Sequence, residues 1–79
     1  MTFKKLIWQK IARGKITRYK SYSYGKLAAY LNCSKSQAWQ LCNNPRIEIK
    51  IEDFLLICRF LDIDPLEYIV KDEVQLELL

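Results

Sequence analysis

Apolar residues recur along this chain in short stripes of helical spacing, separated by brief polar interruptions. Phe3, Leu6, Ile7 and Ile11 fall at three- and four-residue steps, with Lys4, Lys5, Lys10 and Arg13 between them. Thr2 is placed to cap this segment and Gly14 to end it, so the pattern predicts a helix over about 3–13. A second stripe, Trp8, Ala12, Ile16 and Tyr19, would instead carry the helix past Gly14. Residues 14–22 (GKITRYKSY) have no clear period and read as a loop or a frayed extension of that helix.

Ser23 is an N-cap for a short helix over about 24–31. Asn32 comes next, the best residue after Gly for a left-handed turn position. Ser34-x-x-Gln37 then forms a capping box that opens a helix over about 35–43, which Asn43, Asn44 and Pro45 stop. The run Arg46 to Ile51 (RIEIKI) alternates like a strand, but it has no obvious partner and reads as a connecting loop. Phe54, Ile57, Cys58 and Leu61 share one face of a fourth helix over 52–61. Asp64, Pro65 and Glu67 supply an N-cap, a first-turn proline and a capping-box acid for a fifth helix over about 65–71. In the tail, residues 70–79, Val70, Val74 and Leu78 line a helical face, while Val74, Leu76 and Leu78 alternate like a strand. The tail is either a dimerisation element or a segment that folds back or frays. The expectation is one all-α domain spanning residues 1–79, with five helices.

Composition narrows the function. About half of the residues are apolar and ten are aromatic, enough for a core at a length of 79. No apolar run approaches the roughly 18 residues of a membrane span, and the N-terminus does not read as a signal peptide. A cytoplasmic protein is expected, with Cys33, Cys42 and Cys58 as small packing residues in a reducing compartment. Three thiols without a histidine do not complete a four-ligand zinc site, so neither metal nor cofactor is expected, and no small-molecule ligand is evident. Residues 1–50 carry eleven Lys/Arg and one acid, whereas 51–79 carry two basic residues and eight acids. Such segregation favours a polyanion on one face, unless folding mixes the halves and cancels it.

The residues from Leu27 to Leu41 meet the packing needs of two short helices joined tightly. Leu27 and Ala28 give an apolar residue and a small one for a close crossing, with Leu31 one turn later. Asn32 and Cys33 occupy the turn, and Ala38 and Leu41 form the inner face of the second helix. Across residues 22–69, "YSYGKLAAYLNCSKSQAWQLCNN" followed by "IEDFLLICRFLDIDPLEYI" resembles the Cro/repressor-type (XRE) helix-turn-helix family of phage and bacterial regulators. The family's Leu-Gly-Val-Ser turn corresponds to Leu31-Asn32-Cys33-Ser34, and a second such turn to Leu61-Asp62-Ile63-Asp64. The chain departs from the pattern in Asn32 for Gly, in Gly25 within the second helix, and in Cys42 and Asn43, where many members carry an acidic and a polar residue. Its segment between the first two helices is also longer than is typical.

The resemblance implies a motif over 24–43 whose second helix enters the major groove of double-stranded DNA, in a homodimer on a palindromic operator. Base contacts are then expected from Lys35, Ser36, Gln37, Trp39 and Gln40: lysine to guanine, glutamine to adenine, serine to base or phosphate. Trp39 has a second possible role, packing against the fourth helix as core. Phosphate contacts are expected from Ser23, Tyr24, Lys26, Asn43, Asn44 and Arg46. Lys15, Arg18, Lys20, Lys26 and Lys50 are expected to add bulk, salt-sensitive charge.

The rival classes are weaker. No histidine, phosphate loop or nucleophile–base pair supports an enzyme, and the adjacent Glu52 and Asp53 point in different directions on their helix. A protein-interaction module on the same fold, antitoxin-like or repressor-binding, would suit the acidic C-terminal half. RNA binding would rest on the basic, tyrosine-bearing 15–26 segment alone.

Overall fold

In a computed structural model, which describes residues 2–70, the chain forms four α-helices. They are α1 (Lys5–Arg18), α2 (Tyr24–Leu31), α3 (Lys35–Asn43) and α4 (Ile51–Leu61). A single 3-10 turn, Pro65–Glu67, comes after α4. Two residues at each end of the described chain, β1 (Thr2–Phe3) and β2 (Ile69–Val70), pair antiparallel, Phe3 opposite Ile69. No described helix is long and apolar enough to cross a membrane.

α2, α3 and α4 form where their caps and stripes place them, within one residue. The 46–50 segment is a loop: Ile47 and Ile49 turn half inward between exposed Arg46, Glu48 and Lys50. Its alternation is real, but no neighbouring strand among the described residues takes up its backbone.

The first helix departs from the main expectation. α1 passes through Gly14 to Arg18, and Phe3 lies outside it in β1. The helical part of the Phe3-Leu6-Ile7-Ile11 stripe faces outward, with Leu6 63% and Ile7 56% exposed. The inward stripe is Trp8, Ala12 and Ile16; Tyr19 is exposed, with extended backbone just past the helix. Burying the large indole of Trp8 decides the rotation of the helix. Its ring packs 5.1 Å from Phe54 and 5.9 Å from Phe3, and its Nε1 donates to Cys58 Sγ at 3.3 Å. Ala12, fully buried one turn on, adds no bulk on the same face.

The fifth helix is also corrected. Asp64 caps Leu66 N at 3.0 Å and Pro65 sits in the first turn, as expected, but only one 3-10 turn forms. Tyr68 is buried and its carbonyl accepts from Lys4 N at 2.8 Å, which commits the next residues to β2. Beyond Val70 the tail expectation falls outside the described residues.

The described core is one cluster, formed by Trp8, Ala12 and Ile16 of α1, the inner faces of α2, α3 and α4, and Ile63 and Tyr68 beyond them. Three polar side chains of α1 reach through or around it to backbone carbonyls. Gln9, 1% exposed, donates through Nε2 to Leu41 O (3.0 Å) and Asn44 O (2.9 Å). Lys15 Nζ donates to Leu61 O (2.8 Å) and Asp62 O (3.0 Å), and Lys5 Nζ to Ile47 O (3.1 Å). The last carbonyls of a helix have no partner within it, so α1 supplies partners at the ends of both α3 and α4.

Candidate nucleic-acid interface

Local chemistry fixes how α3 is presented. Ser23 opens α2 by accepting from Lys26 N at 3.1 Å. α2 ends at Asn32, whose φ of 58° and ψ of 49° place it in the left-handed region. Cys33 N donates to Ala28 O at 2.9 Å, and Asn32 N to Ala29 O at 3.3 Å, the bond pattern of a Schellman turn. Ser34 then accepts from Gln37 N at 3.1 Å and opens α3. Three residues therefore separate two capped helices, which sets their relative placement tightly. Across the pair, Leu27 and Ala28 are buried on one side and Ala38, Leu41 and Cys42 on the other.

With that inner face sealed, Lys35, Ser36 and Gln37 stand exposed on the first turn of α3. Gln40 is half-buried, and its Oε1 accepts from Asn44 Nδ2 at 2.9 Å, which holds the side-chain amide in one orientation. Trp39 is 50% exposed. It lines a cleft against α1 rather than lying in the core beside α4.

The residues expected at phosphates divide into two groups. Arg46 and Lys26 are exposed, although Lys26 Nζ also reaches Ser21 O at 3.3 Å. Ser23 uses a hydroxyl lone pair for the helix cap. Asn43 and Asn44 are internally engaged. Asn43 Nδ2 donates to Tyr24 Oη and to Trp39 O, both at 2.9 Å, so both of its amide hydrogens are in use. Asn44 Oδ1 accepts from Arg46 N at 3.0 Å and closes the turn after α3. Asn43 thus positions Tyr24, whose hydroxyl accepts this bond and keeps its own proton to donate. Partial burial raises the Tyr24 pKa, against a smaller lowering by Asn43, so the phenol is intact at neutral pH.

Cys42, under the same surface, is pushed up to about 12 by burial, with Arg13 pulling weakly the other way. Cys58 rises through burial too, offset in part by its bond from Trp8. Both are protonated packing residues at neutral pH.

Sequence reasoning passed over Gln9 and Lys15 as structural residues, and Lys10 and Arg13 as part of this surface. The signal for Gln9 is its place beside Trp8, on the buried side of α1. Lys10, Arg13, Lys15 and Arg18 line the cleft that Trp39, Tyr24 and Asn43 close from the other side. A second cleft, sharing Ile11 and Lys15 with the first, carries Asp62, Asp64 and Glu67. The charge asymmetry of the sequence therefore survives folding around α1. Compared with protein families, curated proteins and solved structures, the chain has no match in any of the three.

Proposed function

We propose that this protein is a sequence-specific, double-stranded DNA-binding regulator of transcription, a repressor of the Cro type that its sequence resembles, with α2 and α3 as its helix-turn-helix. The observation that carries this reading is the presentation of α3. Its inner face is sealed by Ala38, Leu41 and Cys42, and both ends are tied by side chains. Its first turn displays Lys35, Ser36 and Gln37, with Gln40 held by Asn44. A rigid helix with exposed polar side chains at its N-terminal end suits the major groove. Lys35 reads guanine, Gln37 or Gln40 reads adenine, and Ser36 takes a base or a phosphate. Tyr24, Lys26 and Arg46 hold the flanking backbone, while Ser23, Asn43 and Asn44 contribute by fixing the helix ends. A homodimer on a palindrome supplies the second set of base contacts that one short helix lacks.

Selection from a randomised duplex pool, with sequencing of the bound fraction, tests this directly. The wild type should recover a palindrome, and Lys35→Ala/Gln40→Ala should erase the preference while leaving a salt-sensitive residue of binding. Each lost bidentate pair is worth about 1–3 kcal/mol of discrimination. Sequence-blind binding, unchanged in the double variant, would sink the reading. A second reading, a protein-interaction module, draws on the apolar side chains that remain exposed, Leu6 and Ile7 on α1 and Ile51 and Leu55 on α4. It predicts a partner whose binding is indifferent to Lys35 and Gln40.

A further inference from the structure

The cleft between α1 and the outer side of α3 is lined by four cations, Lys10, Arg13, Lys15 and Arg18, and, among the described residues, by no carboxylate. Lys15 is already committed to the carbonyls of Leu61 and Asp62. The other three reach the cleft from successive turns of α1. Between them sits Gly14, where the backbone is bare: a Cβ built there would meet nothing closer than Arg18 Nη2 at 3.8 Å. Thr17 turns its hydroxyl onto Arg13 O and Gly14 O, so those acceptors do not face an incoming anion alone. Across the cleft the Tyr24 hydroxyl, accepting from Asn43, has its proton available as a donor. Cations and a hydroxyl donor in one concavity, with no side chain at position 14 to fill it, suit an anion with several oxygens.

We propose that this cleft seats the sugar-phosphate backbone of the bound nucleic acid, through Lys10, Arg13, Arg18 and Tyr24, making α1 a third DNA-contacting helix. The identity of the anion rests on the duplex reading of α3; the seat itself does not. Trp39 and Tyr24 belong at once to the cleft and to the α2–α3 unit, so a strand flanking the groove that α3 enters passes over this site. The acidic cleft on the other side of Ile11 repels the same strand and sets which side of α1 it tracks. Contacts of this kind fix register without reading sequence.

Two measurements test the seat. In the first, duplex affinity is recorded against salt for the wild type, for Lys10→Gln/Arg13→Gln/Arg18→Gln, and for a charge-matched Lys4→Gln/Lys20→Gln/Lys50→Gln control. Circular dichroism verifies that all three are folded. Each phosphate neutralised contributes roughly 0.9 to the slope of log K against log salt. The cleft variant should lower the slope by about one to two per protomer, with the recovered sequence unchanged, and the control by clearly less. Equal losses from both triples would mean bulk charge and overturn the proposal.

In the second, Trp39 emission is titrated with inorganic pyrophosphate. Trp8, fully buried, provides a steady background. A saturable change in the wild type and the control, absent in the cleft variant, supports the seat. If that change appears while no duplex is bound specifically, the helix-turn-helix reading fails and the cleft is a site for a free phosphate compound. No saturation in the millimolar range, or equal competition by polyglutamate, overturns the phosphate seat.

Discussion

The turn Leu31–Ser34 and the turn Leu61–Asp64 are built to one pattern, thirty positions apart. Each comes after an apolar–small pair, Leu27-Ala28 or Ile57-Cys58, and then a leucine. Each places a non-glycine residue in the left-handed region, Asn32 at φ 58° and Asp62 at φ 57°. In each the next amide bonds back five residues, Cys33 to Ala28 and Ile63 to Cys58, and a capping side chain comes directly after, Ser34 or Asp64. Even the aromatics one residue before the leucines, Tyr30 and Phe60, meet, their rings 5.3 Å apart. Yet the first turn leads into a nine-residue helix and the second into one 3-10 turn. Each turn is set locally, whereas the element after it depends on which of the next residues can be buried. After Ser34, positions 38, 41 and 42 offer a buried helical stripe. After Asp64, Leu66 is exposed, while Tyr68 is buried with its carbonyl bonded to Lys4 N.

The largest expected difference lies at the two leucines. Leu61 is fully buried, whereas Leu31 is half-buried. Leu61→Ala should cost about 3–4 kcal/mol in urea unfolding and Leu31→Ala about half of that. Similar losses would mean that the two turns are supported alike.

Alkaline unfolding separates the thiols that the two units bury. Cys42, raised from 9.0 to about 12 when folded, remains a thiol while the unfolded chain ionises. Its contribution is complete below pH 9 and is lost as pH rises towards 12. Under reducing conditions stability should therefore fall by about 2 kcal/mol between roughly pH 8 and pH 10.5 on this account. Cys42→Ala should flatten that limb more than Cys58→Ala, since Cys58 is also raised but is opposed by the Trp8 bond.

Lys15 distinguishes the turns as well, because it clamps the second and not the first. Lys15→Met should cost about 1–2 kcal/mol, the usual worth of a charged donor on backbone carbonyls that are partly exposed. Amide exchange should quicken around Asp62 and Ile63 and stay unchanged at Asn32 and Cys33. The smallest effect concerns backbone conformation. Asn32→Gly and Asp62→Gly relieve a positive φ and should each stabilise by at most about 1 kcal/mol. A loss at Asp62 alone would mean that its carboxylate does more than occupy the turn.

What the sequence made legible is what short-range chemistry decides. Ser23, Asn32, Ser34 and Asp64 announce their caps and turns because each bonds to backbone within a few residues. The buried face of α4 is equally plain, since one stripe is apolar. α1 has two usable stripes, Leu6-Ile7-Ile11 and Trp8-Ala12-Ile16, and choosing between them depends on Phe54 and Cys58, some fifty residues away. Gly14 misleads for a related reason: it can end a helix, but tertiary packing continues this one. At the candidate interface the exposed turn of α3 could be named from its helical phase. The engagement of Asn43 depends on how α2 brings Tyr24 across to α3, and the arrival of Lys10 and Arg13 beside Trp39 on where α1 docks.

The reach of α1 also governs timing. Its tethers run to carbonyls 32 to 47 residues downstream, and the Trp8–Cys58 bond spans 50. During synthesis α1 leaves the ribosome ahead of the helices it packs against, as an amphipathic segment whose indole has nowhere to go. The α2–α3 pair, closed by contacts at most nineteen residues apart, can assemble before it. α1 can then dock on α3 through Gln9, but Trp8 is covered only once α4 brings Phe54 and Cys58 to it.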